Sequence, residues 1–105
     1  MNIFINAELY TLKMSHYIEP RNTSLILESQ SDPTEFRKIT VNIPFEFASP
    51  RAVAVKTYSE NENWIDQFLS LNLLAPIGVT IKSGFVEIPI YLIHPETYET
   101  LLNAM

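Results

Sequence analysis

The chain reads as an α+β protein. It predicts a mainly antiparallel, twisted sheet of about six strands in the order βββ-β-α-ββ, with one amphipathic helix packed on it and a short C-terminal helix. Three observations carry this. Residues 9–18 and 39–43 alternate apolar and polar side chains with the two-residue period of strands. The apolar residues of 59–74 recur at helical spacing behind a capping signal. Residues 78–93 form two β-branched runs on either side of a glycine turn.

The elements follow in order. In residues 9–18, Tyr10, Leu12, Met14 and His16 share one face, while Thr11, Lys13 and Ser15 occupy the other. Pro20-Arg21-Asn22 turns the chain into a strand over 24–29. Ser31-Asp32-Pro33-Thr34 turns it again into 36–43, where Ile39, Val41 and Ile43 share a face. Residues 44–50 make a proline-bounded loop containing Phe45 and Phe47, and 52–57 a short strand. The helix is expected over 59–74. Ser59 and Glu62 form a capping box, Glu60, Glu62 and Asp66 favour the positive end of the dipole, and Ala75-Pro76 stops the run. Behind that start, Trp64, Ile65, Phe68, Leu69 and Leu71 mark the buried stripe. A hairpin is expected over 78–93, with Gly84 taking positive φ in a Lys82-Ser83-Gly84 turn. Pro89 lies within the return strand and cannot donate to a ladder, which places that strand at an edge or a bulge. A second helix begins after His94 and covers Pro95–Asn103.

The whole chain, 1–105, reads as a single domain, since 105 residues is close to the modal domain size. A hydrophobic content of 47% with 18% charge is that of a globular chain. There is no cysteine, hence no disulfide framework and no thiolate nucleophile or ligand. Only Gly78 and Gly84 are present, so the glycine-rich loops that cradle phosphates in nucleotide sites are missing. No cofactor is expected. The first residues lack the basic segment and apolar run of a signal peptide, and no apolar stretch is long enough to cross a membrane as a helix. With seven bases in no basic run, direct binding to nucleic acid is not expected.

The charge is asymmetric. Residues 1–56 hold six acids and six bases, whereas 57–105 hold six acids against Lys82 alone, so the net −5 belongs to the second half. Such an imbalance points to a contact surface for a protein partner with a basic surface. Glu60, Glu62 and Asp66 are the candidate acidic contacts; the simpler reading is that they serve the helix N-terminus and its solubility. Of the aromatics, Tyr58, Trp64, Phe85 and Tyr91 are expected mostly in the core, and Phe45 and Phe47 are the candidates for exposure and contact. His16 and His94, with the Glu62/Asp66 pair, supply the alternative: a small metal-dependent hydrolase. Each histidine also has a plain structural role, His16 at the core edge and His94 at a helix start. No serine sits in a glycine-flanked nucleophile elbow. No catalytic or metal-ligating residue is assigned.

Three stretches carry a resemblance: Val41-Asn42-Ile43-Pro44, the run Val53-Ala54-Val55-Lys56-Thr57-Tyr58-Ser59-Glu60-Asn61-Glu62-Asn63-Trp64, and Ser83-Gly84-Phe85-Val86-Glu87-Ile88-Pro89-Ile90. Together they resemble a small family of unknown function found on plasmids, conjugative elements and phages of bacteria. Asn63 replaces a glycine of several relatives and Tyr91 a frequent cysteine. The resemblance implies mobile-element cargo in the bacterial cytoplasm and carries over no activity. The expected function is therefore a small, non-enzymatic, acidic interaction protein. One version is an anti-defence inhibitor whose carboxylates occupy the basic nucleic-acid channel of a host nuclease.

Overall fold

The alternation in the first half produces an antiparallel meander. In the computed structural model, which describes residues 1–32, 34–57 and 64–105, β1 (Asn2–Ile5), β2 (Glu8–His16), β3 (Thr23–Ser29) and β4 (Phe36–Lys38) pair in chain order. The register sets Ile3 opposite Tyr10, Leu12 opposite Leu27 and Met14 opposite Leu25. These residues therefore share the buried face, and Lys13 and Glu28 remain outside in an ion pair of 2.8 Å. The face read from the 9–18 alternation is the one that is buried.

A second antiparallel sheet contains β5 (Ala52–Ala54), β6 (Leu74–Ser83) and β7 (Val86–Ile93) in the order β5-β7-β6. Residues 39–41 join the two sheets. The Ile39 amide donates to Leu25 O at 3.0 Å and the Val41 amide to Ala54 O at 2.9 Å. Between them Thr40, 1% exposed, accepts the Leu25 amide on its Oγ1 at 3.2 Å and lies 3.0 Å from Tyr17 Oη. The architecture is α+β and mostly antiparallel, as expected, but among the described residues seven strands in two sheets replace the expected single sheet of about six. The difference has two sources. β1 forms through the Asn6-Ala7 turn, and residues 39–43, read as a continuation of β4, break from the ladder to bridge Thr40 to Val55.

The main core lies between the facing sides of the two sheets and is completed by helices α1 (Ile65–Ser70) and α2 (Pro95–Asn103). Leu12, Leu25 and Leu27 meet Val53, Val55, Tyr91 and Ile93, with Trp64, Phe68 and Leu101 from the helical segments. Trp64 is buried, 5.5 Å from Tyr10 ring to ring, with the Arg37 guanidinium 4.4 Å above its face. Because strand residues alternate, Ala52, Ala54, Ile88 and Ile90 face the other way and form a second, smaller cluster with Ile43.

Several expectations are corrected. The helix does not run to residue 74: α1 ends at Ser70 in a Schellman motif. Asn72 takes φ 55°, its amide donates to Leu69 O at 3.1 Å, and the Leu73 amide reaches back to Phe68 O at 3.0 Å. Buried Leu73 and Phe68 supply the apolar contact that accompanies this cap. Ala75-Pro76 therefore lies within β6 and is not the helix stop. The capping box at Ser59 and Glu62, with Glu60, lies outside the described residues. Gly78, φ 75°, sits in a bulge between Pro76 and Val79, and Gly84, φ 62°, opens the Gly84-Phe85 turn. Phe85, expected in the core, stands fully in solvent at that tip.

Pro89 is in neither of the expected settings. β7 is the central strand, and the bulge belongs to β6. Pro89 is tolerated because its nitrogen faces Val55, where β5 pairing has just ended. The Val55 amide donates to Pro89 O at 3.1 Å, and only the return bond of that pair is missing. Pro95 opens α2 at a position whose amide has no intrahelical acceptor, so the C-terminal helix forms as expected.

Candidate functional site

A loop locked by two asparagines displays the exposed aromatic. After β2 the chain turns at residues 20–22, where the Tyr17 amide donates to Asn22 O and the Asn22 amide to Pro20 O, each at 2.9 Å. Asn22 is buried. Its Nδ2 donates to Asn42 Oδ1 at 3.2 Å and to Phe45 O at 2.8 Å, while its Oδ1 accepts the Phe47 amide at 2.9 Å. Asn42 Nδ2 reaches back to the carbonyls of Glu19 and Pro20, both at 3.2 Å. Thr23 Oγ1 donates to Pro50 O at 2.6 Å, and the Arg21 amide to Glu46 Oε1 at 3.2 Å. Residues 42–50 are thus fastened to the 19–23 turn along their length.

The clamp fixes where the two phenylalanines go. Phe47 packs half-buried against the smaller cluster. Phe45 stands edge-on to it, 5.9 Å between centroids at 80°, and remains 49% exposed. Edge-to-face packing of this kind is favourable by about 0.5–1.5 kcal/mol beyond area burial. Ile18, 94% exposed, precedes the Glu19 carbonyl that Asn42 holds, so a second apolar side chain projects from the other half of the clamp. Sequence reasoning identified the phenylalanines and missed both asparagines. Asn22 looked like an ordinary turn residue, and nothing local signals a carboxamide pairing across 20 residues.

The other candidates lie elsewhere. Asp66 is exposed on α1, whose Phe68 packs in the main core. Burial pushes the Tyr91 phenol above its ordinary value and the Asp66 charge adds to the rise. Tyr91 and Phe47 belong to opposite sides of the β5-β7-β6 sheet, so the structure brings Phe45 and Phe47 together and sets Asp66 apart from them. Glu60 and Glu62 lie outside the described residues. Asp66, Glu87, Glu96 and Glu99, the described acids of the second half, are all exposed. His16 and His94 line separate cavities, His16 with Arg21 and Ser49, His94 with Asn72, Glu96 and Thr97. Among the described residues no three His, Asp or Glu side chains stand where they could hold a metal ion. Nor is any helix among them long and apolar enough to cross a membrane.

Comparison with protein-family models, with curated proteins and with solved structures found no match.

Proposed function

We propose that this protein is a small, non-enzymatic interaction protein that binds a protein partner carrying a basic surface. The observation that carries the reading is the clamped loop. Phe45 is a large apolar side chain held half in solvent by a hydrogen-bond network centred on buried Asn22, so little ordering is left to be done on association. Aromatic anchors presented in this way dominate the energetics of many interfaces. The acids of the second half act at longer range, raising the encounter rate with a basic partner and making association salt-dependent. The resemblance to a small mobile-element family implies the bacterial cytoplasm as the setting, and a host nuclease is the first class of partner to test. In that version the acidic half stands in for nucleic-acid phosphates as an anti-defence inhibitor. The hydrolase alternative would need His16 and His94 to act together, and their separate cavities do not favour it.

The test is capture of partners from a bacterial host lysate by the parent chain, Phe45→Ala and Asp66→Lys, followed by affinity measurement with the purified partner. Phe45→Ala should weaken the complex by about 2 kcal/mol or more, the loss expected of an anchor. Asp66→Lys should slow association and flatten its salt dependence. A complex indifferent to Phe45→Ala and to salt would refute the reading, as would substrate turnover by the isolated chain.

A further inference from the structure

We propose that the cavity between the end of β2, the 20–22 turn and the 47–50 loop is a binding site for a phosphate group. The cavity measures about 210 Å³ and is lined by His16, Arg21, Asn22, Thr23, Phe47 and Ser49. At about 30 Å³ per water it spans on the order of seven water volumes, room for a five-atom tetrahedral anion and part of its hydration.

Its donors divide into used and unused. The Thr23 hydroxyl proton is committed to Pro50 O and the Asn22 amide group to Asn42 and Phe45. Ser49 Oγ accepts the Arg51 amide at 3.2 Å, which leaves its own proton without an acceptor among the described residues. The Arg21 guanidinium and the His16 imidazole likewise have no hydrogen-bond or ion-pair partner there. Three residues with unspent donors, a permanent cation, an imidazole and a hydroxyl, therefore border one small cavity. They come from three backbone segments and not from a single planar fork. That arrangement suits a tetrahedral oxyanion, which accepts from several sides, better than a planar carboxylate. The walls are rigid already, because the Asn22 and Thr23 bonds that clamp the 42–50 loop also frame the cavity. Phe47 closes it on the apolar side. Glu46, whose Oε1 accepts the Arg21 amide, opposes an anion nearby, but it is exposed and its field is screened by solvent and salt. The site does not depend on the interaction reading above.

Inorganic phosphate is the probe. Titrated into the full chain at constant ionic strength and followed by amide and imidazole NMR shifts, it should give saturable changes at His16, Arg21 and Ser49. Arg21→Ala should weaken binding about tenfold or more, as expected for losing a hydrogen bond to a charged group. Arg21→Lys should fall between it and the parent, and Ser49→Ala should weaken binding a few-fold. Acetate should bind more weakly than phosphate. The backbone bond to Glu46 survives Arg21→Ala, and spectra away from the cavity verify the fold; should that variant fail to fold, His16→Gln and Ser49→Ala make the same comparison. Shifts that do not saturate, that map outside the cavity, that persist unchanged in these variants, or that acetate reproduces with equal affinity would overturn the proposal.

Discussion

The carboxamide of buried Asn22 bridges Asn42, Phe45 and Phe47, and all three bonds are partly shielded from water. A buried amide with its partners present adds modest stability, whereas its removal leaves those partners unsatisfied at about 1–3 kcal/mol each. Asn22→Ala should therefore destabilise the chain by about 2–4 kcal/mol in urea unfolding once local relaxation has offset part of the loss. It should also speed hydrogen exchange at the Phe47 amide, whose acceptor is the Asn22 oxygen. Unchanged exchange at Phe47 would mean that the loop is held by something other than the carboxamide. Arg37 shows a different use of a polar residue. It points from the edge strand β4 toward the core, stacks on Trp64 and leaves its Nε buried without a hydrogen bond among the described residues. An inward-facing cation discourages edge-to-edge pairing of a sheet.

Two elements end on residues in the left-handed region that are not glycine. Asn72 closes α1, a role asparagine fills readily because its short polar side chain tolerates that backbone. Ala7, φ 64°, is less at ease in the β1–β2 turn. A left-handed L-residue costs about 1–2 kcal/mol, and glycine recovers most of it while losing more chain entropy on folding. Ala7→Gly should stabilise the hairpin by about 0.5–1 kcal/mol, read as a Tm higher by a few degrees with the urea m-value unchanged. A lower Tm would mean that the turn relaxes away from positive φ. The same residue explains why β1 was not foreseen. An Asn-Gly pair announces a hairpin, whereas Asn-Ala reads as ordinary chain.

At the scale of the whole molecule the two sheets are joined through residues 39–41, with Thr40 at the junction. Its hydroxyl takes the Leu25 amide of the first sheet while its backbone bridges Val55 in the second. Thr40→Val keeps the shape and strands the Leu25 amide, so it should cost about 1–3 kcal/mol. Thr40→Ser, which keeps the hydroxyl, should lie closer to the parent in urea midpoint; equal midpoints for all three would show that the hydroxyl plays no part in the join. Local pattern had determined much beneath this level: the buried face of β2, the Gly84 turn, the proline start of α2, the burial of Trp64 and the exposure of Phe45. Each depends on neighbours within a few residues, through side-chain period, turn chemistry or cap. What only the tertiary structure decided involves partners far apart in sequence. Pro89 became central because β5 stops pairing at Ala54. The strand read over 36–43 split between two sheets because Thr40 met Val55. Asn22 and Asn42 built a clamp because two turns came together. Nothing in a local window encodes those meetings, because their free energy is gained only when the chain between them has already closed.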